Sequence, residues 1–303
     1  MSRPHEVFDR RAVRAHRDRA AGAPEGHDFL HREVAARLVE RLDEVRRGFS
    51  AALELGCHRG ALTERLIGRG DIQALIVTDL SPACATRARD AAPGAMILAA
   101  DEEALPFAPG QFGLVISCLA LHWVNDLPGA LIQARRALKP DGLFLAALIG
   151  GGSLSRLRDT MMQAEIEIEG GASPRVSPFA DVRDAGALLQ RAGFALPVVD
   201  RDEITASYEN PLALMRDLRL MGEANAVGER RGGFSRRETL LRAAAIYGEV
   251  GQDEEGRVPA SFEIIYLTGW APDASQPKPL RPGTAQTRLA DALETVEKDT
   301  EQD

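Results

Sequence analysis

Short apolar runs alternate with amphipathic stretches through the first half of the chain. The runs at 52–55, 75–78, 95–99, 114–118 and 143–149 are almost continuously apolar. Runs of that length and character predict strands covered on both faces. Helical spacing predicts helices near 61–68, 82–91 and 127–138. It also predicts an earlier one over 29–47, where Phe29, Leu30, Val34, Leu38, Leu42 and Val45 share one side. Lys139-Pro140-Asp141-Gly142 is a turn by composition. Repeated β–α alternation of this kind builds a mostly parallel sheet with helices on both faces.

The pattern changes after residue 150. Gly150-Gly151-Gly152 breaks the chain, 154–168 reads as helix, and 170–174 and 177–179 read as loop. A helix over 185–193 stops at Gly193. Two more strands follow at 194–199 and 262–268, and 209–250 between them is mostly helical. A helical insertion between closing strands predicts a lid over the strand tips. The chain therefore divides into an N-terminal helical segment (1–50), a Rossmann-like core (51–150) and a lid with closing antiparallel strands (151–271). Beyond these lies a polar, proline-rich tail (272–303) that reads as disordered, with a short helix at 285–297.

Composition narrows the function. The chain has 303 residues, 45% of them apolar, enough for a large core, and a net charge of −8, which argues against a general nucleic-acid surface. Three of the 37 basic residues are lysine (Lys139, Lys278 and Lys298), a bias more telling of a GC-rich genome than of a function. Cys57, Cys84 and Cys118 lack C-x-x-C spacing, so a zinc or disulfide framework is not expected and a reducing cytoplasm fits. The longest apolar runs are too short to span a bilayer. Residues 1–20 hold six arginines, but Glu6, Asp9 and Asp18 speak against a transit peptide and no secretory apolar stretch follows.

The densest signal is Glu54-Leu55-Gly56-Cys57-His58-Arg59-Gly60, where an apolar run ends in an acid and opens into a glycine-bearing turn. Glycine lets a ligand approach bare backbone and tolerates φ > 0. The spacing is not G-x-G-x-x-G, so a dinucleotide pyrophosphate fits poorly. Glu54 instead suits a cationic ligand such as S-adenosylmethionine. Asp79, ending the next strand, suits a ribose diol. Asp101 and Glu102, after the third, suit an adenine amine, with Leu105 and Phe107 as its apolar wall. His58 stands where a further glycine is expected; if it needs φ > 0, it carries a strain cost. The candidate cofactor contacts are thus Glu54, Gly56, Cys57, His58, Gly60, Asp79, Leu80, Asp101, Glu102 and Cys118. His122, Trp123 and Asn125, just beyond the fourth strand, face the reacting end as candidate catalytic or cofactor-wall residues. An arginine from Phe8-Asp9-Arg10 or from 16–21 either reaches the cofactor carboxylate or lies on a solvated helix face.

These residues resemble the class I S-adenosylmethionine-dependent methyltransferases, in the broad group with the malonyl-carrier-protein methyltransferase of biotin synthesis. The likeness runs further with the methyltransferase-like assembly factors of respiratory complex I. It includes Leu121-His122-Trp123-Val124-Asn125-Asp126, Met221-Gly222-Glu223-Ala224-Asn225, Ala243-Ala244-Ala245-Ile246-Tyr247 and Gly269-Trp270, within coverage of about 7–271. The resemblance implies a seven-stranded class I fold, bound S-adenosylmethionine, and action on an arginine of the complex I iron–sulphur subunit. It implies a bacterial cytoplasmic site (the matrix side in the mitochondrial family), peripheral association with the complex I intermediate, and no nucleic-acid partner. Family knowledge favours hydroxylation. The residues favour methyl transfer, which needs only in-line geometry and a water-excluded pocket. No H-x-D/E pair marks a non-haem iron site, and no metal ligand is assigned. Two alternatives stand beside this reading: a small-acid or malonyl-carrier-protein O-methyltransferase, and a non-catalytic assembly chaperone.

Overall fold

The computed structural model describes residues 6–69, 71–177, 182–249 and 251–277. Strands β1 (Ala51–Leu55), β2 (Ala74–Asp79), β3 (Met96–Ala99), β4 (Phe112–Cys118), β5 (Leu138–Ile149), β6 (Ala195–Tyr208) and β7 (Val258–Trp270) form one sheet in the order β3-β2-β1-β4-β5-β7-β6. The first five run parallel; β7 is antiparallel to β5, and β6 to β7. Strand order reverses between β1 and β4, and open α/β sheets bind ligands outside the carboxyl ends of strands at such a reversal. This is the expected Rossmann-like class I methyltransferase fold.

Side-chain alternation along β5 shows how the sheet is buried twice. Leu143, Leu145, Ala147 and Ile149 join one apolar cluster, whereas Phe144, Ala146 and Leu148 join another. Successive strand residues point to opposite faces, so the two clusters are the two sides of the sheet. The first is covered by α2 (Phe29–Asp43), α6 (Ser155–Glu169) and α9 (Arg237–Glu249), the second by α5 (Leu127–Ala137) and α7 (Val182–Arg191). Helix starts follow capping chemistry. The Asp9 carboxylate accepts the Arg11 and Ala12 N–H groups at α1 (Arg10–Ala21), and the Ser81 hydroxyl accepts the Cys84 N–H at α4 (Pro82–Ala91).

Several elements differ from the sequence expectation. Helix α2 stops at Asp43, and the helix expected over 61–68 is one turn, α3 (Thr63–Leu66). The Lys139–Gly142 turn lies within β5 as an irregular stretch, with Asp141 at φ 58° and a register shift against β4. Strands β6 and β7 are longer than their apolar runs. In β6, Asp200 and Asp202 pair with Arg41 and Arg37 of α2, so charges that conceal the strand in the sequence have partners on a helix. The insertion between β6 and β7 is α8 (Pro211–Leu220) and α9, joined by a non-helical stretch. No helix among the described residues is long and apolar enough to cross a membrane.

Residues 1–272 form one unit and 273–303 a second. Of the second, 273–277 are described; there the Asp273 carboxylate accepts the Ser275 N–H. The expected disordered tail and the 285–297 helix lie outside the described residues, apart from that short beginning, as do 178–179 of the expected 177–179 loop.

Candidate active site

The turn leaving β1 adopts the left-handed conformation at alternate residues: Gly56 at φ 69°, His58 at 52° and Gly60 at 90°. A Cβ on Gly56 would stand 2.1 Å from that of Ala120, so glycine is required by close approach as well as by φ. His58 does take the strained conformation, at a cost of roughly 1–2 kcal/mol. Its N–H donates to Asp79 Oδ2 at 2.8 Å, and its ring is buried under the lid, where Nε2 meets the Met221 carbonyl at 2.8 Å.

Asp79 ends β2 and is buried, accepting the His58 and Ser81 N–H groups. Arg17 of α1 donates to Glu102 Oε1 at 2.6 Å and stands 3.4 Å from Asp79 Oδ1. Arg10 donates to Asp101 Oδ1 and Glu102 Oε2, both at 2.5 Å. Arginines expected at a cofactor carboxylate or in solvent thus turn inward onto the acids. Burial works to raise the Glu102 pKa, but Arg17 and Arg10 outweigh it and hold it at about 2. Burial and the Glu102 charge raise Asp79 in spite of Arg17. Glu54 is buried with neither carboxylate oxygen hydrogen-bonded; desolvation outweighs the nearby Thr63 hydroxyl and pushes it up to about 8.

Beyond β4, Leu119 (φ 50°) and Ala120 lead into a 3-10 turn over Leu121–Trp123. His122 Nε2 and Trp123 Nε1 both lie 3.1 Å from Glu223 Oε2, on the stretch after α8. Asn125 does not face this group. Its amide exchanges hydrogen bonds with the Phe8 backbone, N–H to Oδ1 at 2.8 Å and Nδ2 to the carbonyl at 3.1 Å. Leu80 is half-buried against the cluster of Phe8, Val13 and Trp123. Cys57 and Cys118 are buried, and desolvation raises both thiols, which argues against nucleophilic roles. Phe107 packs on Phe112, at the opposite end of β4 from the tip, so it does not form the expected adenine wall there.

Glu223 was missed in the sequence. Burial works to raise its pKa, and His122, His31 and Arg17 outweigh that and lower it. Its one local signal is an acid flanked by Gly222 and Ala224; two of its partners, His122 and Trp123, are about a hundred residues away. His31 and His58 stack beside it, and desolvation keeps both neutral, His58 at about 3. Among the described residues no group of three His, Cys, Asp or Glu is arranged to hold a metal ion.

The side chains fit S-adenosylmethionine. Gly56 keeps the main chain bare at the strand tips, and Glu54 offers two buried oxygens without partners. Among the described residues Asp79, Asp101 and Glu102 share Arg10 and Arg17, three acids to two arginines, which leaves negative charge in excess for a cationic guest.

Residues 53–146 match the family described as "Methyltransferase domain". The chain is 42% identical over 287 residues to "Arginine-hydroxylase NDUFAF5, mitochondrial" of Danio rerio, covering 94% of this chain and 89% of that protein. The Homo sapiens protein of the same name is also 42% identical, over 92% of this chain and 81% of its own length. The malonyl-[acyl-carrier protein] O-methyltransferase of Halorhodospira halophila is 38% identical, over 88% and 89% respectively. Among solved structures, BH2331 of Bacillus halodurans superposes with a TM-score of 0.56 at 16% identity, covering 80% of this chain and all of that one, a likeness of fold.

Proposed function

The chain belongs to the class I S-adenosylmethionine-dependent methyltransferases, in the group with the arginine-hydroxylase NDUFAF5 proteins, and from that premise we propose that it modifies a protein arginine. The substrate is the complex I iron–sulphur subunit beside the quinone site, met during assembly. One observation carries this reading. The 42% identity extends over 94% of the chain, so it takes in the lid as well as the core, whereas the family match stops at residue 146.

S-adenosylmethionine is the cofactor, and when bound it supplies an electrophilic methyl group on a sulphonium. Glu54, Gly56, Cys57, His58, Gly60, Asp79, Leu80, Asp101, Glu102 and Cys118 are the residues proposed to hold it. His122 and Trp123 shape the reacting end. Asn125 acts at one remove by pinning Phe8. The relatives' names favour hydroxylation, a net addition of one oxygen atom to the arginine. Methyl transfer would instead place the sulphonium methyl on a guanidinium nitrogen, which would lose a proton, and would leave the cofactor as its neutral thioether, S-adenosylhomocysteine.

Intact-mass and fragment analysis of the iron–sulphur subunit, from cells with and without this gene, separates the outcomes. One added oxygen or one added methyl on a single arginine supports the reading and names the chemistry. An unchanged arginine with normal assembly overturns it, and an unchanged arginine with failed assembly leaves a chaperone. The 38% identity to a carrier-protein O-methyltransferase favours a second reading, which predicts a biotin requirement on deletion. Glu223 weighs against it, since a malonyl carboxylate would meet a buried carboxylate at His122 and Trp123. The proposed setting is the bacterial cytoplasm, with peripheral attachment through the complex I intermediate.

A further inference from the structure

A cavity of about 300 Å³ opens beside the acceptor end, between α6, α8 and the stretches near Arg175 and Glu223. Its walls include Leu157, Met161, Met215 and Leu218, and among the described residues Glu223 is the carboxylate in its lining. Arg219 is exposed and the Glu223 side chain is buried, so the cavity has a solvent end and a closed end. The volume sits at the bottom of the ~300–1,000 Å³ range of small-molecule pockets, which suits one extended side chain.

Glu223 is only half used by its neighbours. Oε2 faces both the Trp123 indole N–H and His122 Nε2, each at 3.1 Å. Oε1 accepts no hydrogen bond, and its near neighbour, His31 Nε2, stands off at 3.8 Å. A side-chain carboxylate only 5% exposed, with one oxygen unpaired and bordering a cavity, is an acceptor awaiting a donor.

We propose that this cavity is the entry for a substrate arginine, with Glu223 Oε1 receiving the guanidinium and the leucine and methionine walls covering its methylene stem. The proposal rests on the function assigned above and adds the residue that selects the side chain. A guanidinium offers planar, multiply donating N–H groups to the open oxygen, whereas an ammonium is a compact, strongly hydrated charge on a flexible stem. Neither cavity arginine cancels the attraction. Arg175 is already held by Glu165 at 2.6 Å, and Arg219 is exposed, so water screens its charge. The position also suits the chemistry, because His122 and Trp123 follow the β4 tip whose Ala120 backs Gly56. A guanidinium on Glu223 therefore lies at the end of the cleft where the cofactor's reacting group is expected.

The test is binding of N-acetyl-arginine methylamide to the full chain, followed by NMR titration, beside the neutral citrulline analogue. The arginine probe should bind at least about tenfold more tightly than citrulline, the scale of one charge-assisted contact. Glu223→Gln should remove that preference. Met215→Trp, which fills the cavity from a wall and leaves Glu223 in place, should weaken the arginine probe by a similar factor with an unchanged melting curve. No binding to the wild type, equal binding of the two probes, or unchanged arginine binding in Glu223→Gln or Met215→Trp overturns the proposal. The assigned activity is read separately by mass. If probe binding depends on Glu223 and no subunit arginine is modified, the site stands and the activity falls. If modification persists in Glu223→Gln at unchanged KM, the site falls and the activity stands.

Discussion

His31 and His58 stack face to face, ring centroids 3.9 Å apart and planes 13° from parallel, with both imidazoles buried. Two imidazolium charges cannot share that contact, so folding holds both rings neutral. Desolvation, with the Arg17 charge behind it, brings His58 to about 3, and desolvation with the His58 neighbour takes His31 well below 6.5. A histidine lowered on folding contributes stability that is whole above pH 6.5 and is lost as pH falls toward the folded value. Urea unfolding should therefore show stability dropping by about 1.4 kcal/mol per pH unit for each buried ring below that point. His31→Phe, which keeps an aromatic face, should shallow the slope by about one ring's share. Glu54 titrates with the opposite sign in this window, so the test is made in Glu54→Gln, where a flat profile between pH 7 and 5 would count against the burial of both rings.

Cofactor affinity should rise with pH. Glu54 is pushed up to about 8 by burial, so the free protein carries its proton at neutral pH. A neighbouring cationic ligand favours the carboxylate, so binding expels that proton. Affinity for S-adenosylmethionine should grow by up to about tenfold per pH unit below about 8 and level off above it. Calorimetry in buffers of different ionisation enthalpy counts the released proton. Glu54→Gln should flatten the pH dependence and weaken binding. For folding alone the sign reverses: stability is whole at low pH and declines as pH rises from 4.5 toward about 8.

Arg17→Met leaves Glu102 and Asp79 buried without their main cation. Stranding one partner of a buried ion pair costs roughly 3–5 kcal/mol. Chemical denaturation should show a loss on that scale, and adding Glu102→Gln should recover part of it. In the wild type, the share due to Glu102 is present above pH 4.5 and disappears as pH falls toward about 2. Equal stability of wild type and Arg17→Met would show that the pair contributes nothing net.

Gly56→Ala and Gly68→Ala form a matched test of close approach. Both glycines have positive φ, 69° and 82°, but among the described residues a Cβ at 68 meets nothing within 4 Å. The φ cost is common to both, so their difference reads the close approach to Ala120 and Glu102. Gly56→Ala should be less stable than Gly68→Ala by roughly 1–3 kcal/mol, the range for overpacking. Similar melting temperatures would argue that the turn relaxes freely.

The central parallel strands were legible because β1, β4 and β5 are buried on both faces, leaving nearly continuous apolar runs such as 114–118. The full length of β6 was not, since the expected strand ends at 199, where Asp200, Arg201, Asp202 and Glu203 break the apolar run, and Arg37 and Arg41 of α2 pair with two of these acids. The positive φ of Gly56 and His58 and the burial of Asp79 were local consequences of one turn. Glu223, by contrast, acquires meaning only when the chain returns over His122 and Trp123. The inward arginines were opaque for the same reason. Arg10 and Arg17 share a helix with the exposed Arg11 and Arg14, and spacing alone does not tell which ones find acids.

Phe8 ties the stretch before α1 to Asn125 on one side and Val227 on the other. The Asp9 N–H reaches the Ala226 carbonyl, and the Gly228 N–H reaches Val7, each at 2.8 Å. One zipper thus fastens both α1, whose arginines clasp the acids, and the segment bearing Glu223. Backbone hydrogen bonds made here hold two sides of the site at once, so anything that loosens this fastening loosens α1 and the Glu223 segment together.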